Sequence, residues 1–279
     1  MADFTLKAYN LLLDKILEKG YEVMTFRRYL SIKDGDMPEK FIVMRHDVDK
    51  KPGNSLKTAE IEHSKGVKAT YFFRMRPCSY DEDIVRKMQS LGHEIGYHYE
   101  DLVLANGDKA KAIGHFAESL QTMRAIADVK TICMHGSPLS GIDSKDLWSD
   151  YDYKDYGIVG DTFFDADYKT LFYITDTGRM WNGHEVSRRD NVPEQMEWVG
   201  KGYAYHSTAD IIEALDNGSF PHRAMITTHP QRWTDNGFAW LKELVLQNAK
   251  NVVKRAMNKR RRINFVSTRR KSSQILSFG

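Results

Sequence analysis

Six strand-sized runs rich in β-branched and aromatic residues recur along the chain and alternate with longer helix-like stretches. The runs are FIVMRH (41–46), KATYFFR (68–74), HEIGYH (93–98), KTICMH (130–135), LFYITD (171–176) and AMITTH (224–229). The helix-like stretches are Ser55–Lys65, Asp81–Leu91, Asp108–Ile126, Thr208–Leu215 and Ala239–Lys254, several of them opened by Asp, Ser or Thr in a capping position. A strand that returns through a helix to a parallel neighbour does so by a right-handed crossover, so this order predicts a parallel α/β sheet. Closure into a barrel suits a chain of 279 residues, because barrels of roughly 250 residues are routinely single domains. The expected organisation is a barrel domain over 1–245, including an N-terminal helix, followed by a basic helix end and tail over 246–279. The stretch Gly136–Gly202, rich in Asp, Gly, Tyr and Trp, is expected to form long loops and short strands over one barrel face.

Several function classes are excluded or weakened by composition. No run of about eighteen apolar residues occurs, which removes a membrane-spanning helix. The first twenty residues mix acids and lysines with apolar positions and do not read as a secretory signal, so a cytoplasmic location is expected. Cys78 and Cys133 are the only cysteines, too few for a disulfide framework. The net charge of +3 hides an asymmetry: after Glu243 there are ten Lys and Arg and no acid, which leaves −7 on the rest. Such an end can make weak contact with an anionic surface; no specific nucleic-acid partner is expected.

Four of the six runs finish on histidine: His46, with Asp47 and Asp49 behind it, then His98, His135 and His229. Carboxyl ends of parallel strands open onto one face, so residues distant in sequence can meet there. Within RHDVD, strand alternation sends Asp47 and Asp49 to one side and His46 and Val48 to the other. Two neighbouring carboxylates repel unless a cation or a proton lies between them, which suits one as metal ligand and the other as base. His98 is the ligand expected from GHEIGYHYED, whereas His93 and Glu94 at the strand's start are expected to be structural. MHGSP turns the chain sharply after His135. In THPQRW, His229 could protonate a leaving group or ligate metal, and Arg232 or Trp233 could hold a sugar ring. Asp176, Arg179 and Trp181 in TDTGRMW offer a carboxylate, a fork of donors and an aromatic plate, as carbohydrate pockets do; a tryptophan buried in a loop core is the alternative.

Taken together, RHDVD, ATYFF, GHEIGYH, the strand-end HGSP and the strand-end TTHP resemble the polysaccharide deacetylase family, carbohydrate esterase family four, over about Phe41 to Trp233. The resemblance implies a distorted, seven-stranded (β/α) barrel that holds a divalent cation, Zn²⁺ by preference. It implies Asp47 as general base, Asp49 and His98 as ligands, and His229 as general acid. Where the family has its second metal histidine, four residues after the first, this chain has Leu102. The third ligand would then be His135, with Glu100 and Asp101 as alternatives. The implied activity is N-deacetylation of an acetylated sugar or glycan precursor in surface polysaccharide biosynthesis. A relative without activity that binds or assembles glycans, and an amidohydrolase on another C–N amide, are the alternatives.

Overall fold

A computed structural model describes residues 2–33, 35–137, 140–181 and 192–252. Among the described residues eight strands run in chain order: β1 (Glu22–Met24), β2 (Phe41–Val48), β3 (Thr70–Phe73), β4 (Glu94–Tyr99), β5 (Thr131–Met134), β6 (Gly160–Asp161), β7 (Phe172–Thr175) and β8 (Arg223–Thr228). Every pairing is parallel, in the order β6-β5-β4-β3-β2-β8-β7, with β1 added to the first half of β2. The sheet is a curled, open barrel of seven strands whose edges are β6 and β7, as the distorted barrel expectation requires. All six strand-sized runs are strands. The two that sequence patterning missed, β1 and β6, are three and two residues long, too short to show a period.

The helices are α1 (Leu6–Glu18), α2 (Phe26–Ile32), α3 (Pro52–Ser64), α4 (Glu82–Ser90), α5 (Asp101–Leu104), α6 (Lys109–Arg124), α7 (Gln195–Gly200) and α8 (Thr208–Asp216). Caps read from sequence act as caps: the Asp81 carboxylate accepts from Ile84 N, and Asp108 does the same for Lys111 N. Helix α3 starts three residues before Ser55, because Pro52 is tolerated in a first turn whose N–H groups have no helical partner. Residues 237–252 are helical, so one helix runs through the expected boundary at 245–246, and 253–279 lie outside the described residues.

The eight residues of β2 are all buried, as a parallel strand covered on both faces must be. Their side chains divide by alternation. Phe41 and Val43 join Phe72, Cys133, Tyr173 and Met225 in one apolar layer, and Ile42, Met44 and Val48 join the helix residues Leu12, Ala59, Val85, Phe116 and Ile211 in the other. Each buried side chain of this size contributes about 1.5–3 kcal/mol. Gly96 in β4 is required: a Cβ there would stand 2.4 Å from the Phe72 ring. That ring in turn lies beneath the Arg45 guanidinium, which is 5.7 Å from its centroid.

Candidate metal centre at the carboxyl ends of the strands

Three of the four strand-end histidines meet. His98 is the penultimate residue of β4, and His135 and His229 follow β5 and β8 directly. Each is gripped from behind at Nδ1: His98 by the Cys133 carbonyl at 3.0 Å, His135 by Glu100 Oε2 at 2.8 Å, and His229 by Asp176 Oδ1 at 2.6 Å. Fixing Nδ1 sets ring orientation and leaves Nε2 to face outward. All three Nε2 atoms face Asp49, at 3.6 Å (His98) and 3.6 Å (His135) from Oδ1 and 4.0 Å (His229) from Oδ2. Asp49 Oδ2 accepts from Gln231 at 3.0 Å, but Oδ1 is buried and has no hydrogen-bond partner.

That orphan oxygen calls for a positive partner. A buried charged oxygen without a partner costs several kcal/mol. Separations of 3.6 Å are too long for hydrogen bonds. They are close to the spacing of about 3.4 Å between ligand atoms that each sit about 2.1 Å from one tetrahedral ion. Asp49, His98 and His135 could therefore hold a cation. Burial raises the pKa of Asp49, yet His98 at 3.6 Å and the nearby His135 and His229 hold it well below the usual carboxylate range.

Asp47 lies beside this group and has a different setting. Arg45 donates to both its oxygens, Nε to Oδ1 at 2.8 Å and Nη2 to Oδ2 at 2.7 Å, a buried bidentate pair. Burial opposes its charge, but Arg45 and His98 keep it ionised, below the ordinary range. Asp47 Oδ2 is 3.8 Å from His98 Nε2, so it borders the same space. Among the described residues, the trio whose donor atoms all lie within 4.8 Å of one another is Asp47, His98 and Cys133. Arg45 donates to Cys133 Sγ as well as to Asp47, so a guanidinium already supplies the positive charge there.

The remaining candidates are anchors or core. Glu100 bridges His135 and Arg74, which pull its carboxyl down to about 2 against the opposing effect of burial. Asp101 faces away and accepts from the Tyr97 hydroxyl. Leu102 is buried in a small apolar cluster with Ala112 and Leu147. Asp176, fully buried, accepts from His229 N and Nδ1, from Arg232 Nη1 at 2.6 Å and from Trp233 Nε1 at 2.7 Å. Burial opposes its charge, and Arg232 and His229 hold its pKa down. Arg232 and Trp233, read from sequence as sugar contacts, are thus partners of Asp176. Trp233 packs edge-on against Phe4 and Tyr9 and beside Trp181. Trp181 donates to Thr208 and is buried, the loop-core alternative named above. Arg179, with a positive φ of 58°, lies over Phe4 and Trp240 and donates to the Trp240 carbonyl.

Sequence reading did not single out Arg45 as a partner of Asp47, although i and i+2 share a strand face. It placed Asp176 in a sugar pocket, although as the polar residue that follows β7 it belongs with the strand-end set. The fourth strand-end histidine, His46, points to the opposite layer, as alternation requires. There its Nε2 meets Glu62 Oε1 at 2.7 Å. His93 is structural: Nε2 meets the Ala59 carbonyl at 3.0 Å and Nδ1 accepts from Ala69 N. Pro138 of the HGSP turn and His184 lie outside the described residues.

No family model matches the chain, and no curated protein matches it in sequence. Among solved structures it is similar to a CE4 family pseudoenzyme from Bacillus anthracis, at 12% identity over 77% of this chain and 63% of that one, with a TM-score of 0.40. The chain therefore spans less than two thirds of that pseudoenzyme. It is also similar to a family 4 carbohydrate esterase from Streptomyces lividans, solved with acetate, at 14% identity over 77% of this chain and 90% of that one, TM-score 0.40. A family 4 carbohydrate esterase from Bacillus anthracis is similar at 16% identity over 86% of each chain, TM-score 0.39. These are loose likenesses, and the reading of function below stands on the chain's own side chains.

Proposed function

We propose that this chain is a metal-dependent hydrolase of the N-deacetylase kind, in which Asp49, His98 and His135 hold a divalent cation, Zn²⁺ by the mix of imidazole and carboxylate donors. The observation that carries the reading is the convergence of three rear-anchored Nε2 atoms on one half-buried carboxylate whose buried Oδ1 has no hydrogen-bond partner. A bound cation would polarise an amide carbonyl and make a water more acidic. Asp47, kept ionised by Arg45, accepts the proton of the attacking water as its oxygen bonds to the carbonyl carbon. His229, oriented by Asp176, gives a proton to the nitrogen as the C–N bond breaks. Acetate and a free amine leave.

The proposed substrate is an acetylated sugar or glycan precursor of surface polysaccharide, a reading supported by the motif resemblance. Trp181, Trp233 and Arg232 are assigned no part in holding the sugar, because protein groups already occupy their rings and the guanidinium group. A second reading, a glycan-binding relative without activity, draws support from Leu102, which turns into an apolar cluster where the family pattern has a ligand.

The test is acetate release from N-acetylglucosamine oligomers by zinc-loaded protein, with Asp47→Asn and His98→Ala beside the wild type. Asp47→Asn is expected to keep its zinc and lose turnover, and His98→Ala to lose both. Wild-type turnover surviving in either variant would sink the proposal, and zinc-loaded wild type without turnover would favour the second reading.

A further inference from the structure

The helical residues 237–252 are inside out. Glu243, Gln247 and Asn251, four residues apart, are 5–6% exposed and face the protein, while Phe238, Leu241, Val245 and Val252 are 79, 54, 60 and 66% exposed. At 3.6 residues per turn these four apolar side chains fall within about a sixth of a turn, opposite the polar face. The polar face is bonded in place. Glu243 pairs with Lys50 and Lys51 at 3.6 Å each, and Asn251 donates to the Gly178 carbonyl at 2.7 Å. Arg179 donates to the Trp240 carbonyl, and the Trp240 indole donates to the Asp3 carbonyl at 2.7 Å. The outward stripe is therefore what this helix offers to something else.

We infer that the stripe docks on an anionic lipid surface. From Lys250 onward the sequence adds ten Lys and Arg and no acid, and Lys242 borders the stripe. Apolar side chains beside a dense run of positive charge satisfy both halves of a charged bilayer, acyl boundary and headgroup, and neither signal alone anchors stably. Nucleic acid rewards the charge but not the stripe. A second copy would bring two basic ends of like sign together. Lys50 and Lys51 directly follow Asp49, so the docking helix is tied through Glu243 to the segment that carries the carboxylate of the histidine cluster. The inference does not depend on the hydrolase reading.

The experiment is co-sedimentation of the full chain with vesicles of phosphatidylglycerol and phosphatidylcholine, against vesicles of phosphatidylcholine alone. The chain is expected to pellet with the anionic vesicles and stay in solution with the neutral ones. Phe238→Ser, Leu241→Ser and Val245→Ser combined in one chain are expected to weaken that binding about tenfold or more. Because the three side chains are exposed, the thermal melt is expected to hold. No binding to anionic vesicles, or equal binding by the triple variant, overturns the inference. So does a dimer in light scattering that the triple variant dissolves, or duplex DNA bound in preference to vesicles.

Discussion

Two clusters in this molecule use the same ingredients, histidines around a carboxylate, and end in opposite states. Around Glu62 every group is paired. Oε1 accepts from Tyr9 and meets His46 Nε2, Oε2 accepts from Tyr71 at 2.7 Å, and His46 Nδ1 meets Thr228 Oγ1 at 2.6 Å. Glu62 and His46 have no exposed surface, and burial of Glu62 is outweighed by His46, which holds its pKa below the ordinary range. Around Asp49 the histidines are anchored only from behind, and the front nitrogens of His98 and His135 face an oxygen with no partner. A closed network stabilises a fold; an open one, held rigidly, keeps unsatisfied donors aimed at a ligand. One strand feeds both clusters, since alternation along RHDVD sends His46 to the helix-covered layer and Asp47 and Asp49 to the other.

The contrast can be broken most directly by exchanging the damage. Asp49→Ala should lower kcat/KM for acetate release by at least about 10³-fold, roughly 4 kcal/mol, while the urea midpoint of the metal-free chain stays nearly unchanged. Glu62→Ala should do the reverse to stability: it strands His46, Tyr9 and Tyr71 in the core and should cost about 3–4 kcal/mol in urea denaturation. If Asp49→Ala were the more destabilising of the two, the open cluster would be a structural one.

Asp101 sharpens the comparison, being buried with the Tyr97 hydroxyl as its side-chain partner and no cation bonded to it. Burial pushes its carboxyl up to about 6 from 3.8. A raised carboxyl pKa means that the folded state binds the proton more tightly, so stability is full below about pH 4 and is lost as pH rises toward 6. Asp101→Asn should match wild type at pH 4 and exceed it by about 1–3 kcal/mol at pH 7, read as a gap that opens between those values. The smallest effect expected is that of Tyr9→Phe, which leaves Glu62 Oε1 with His46 Nε2 and one donor fewer and should cost about 1 kcal/mol in the same assay.

Much of this was legible in the sequence because alternating strand and helix patterns are local, and strand-end residues converge by topology alone. Asp49, His98 and His135 met for that reason. What was not legible depends on distance across the fold. Nothing local tells that Asp176 sits behind His229, that Glu100 grips His135 instead of competing with it, or that Glu62, sixteen residues from His46, closes the other cluster. Trp181 and Trp233 were ambiguous because an indole suits a sugar pocket and a loop core equally, and only packing against Phe4 and Tyr9 decides it.

Elemental analysis after zinc loading and exhaustive dialysis decides whether the open cluster is a cation site. The account predicts one zinc per chain in the wild type, none in His135→Ala, and one still in Glu62→Gln. Wild-type protein that retains no zinc, or His135→Ala that retains as much as wild type, would contradict it.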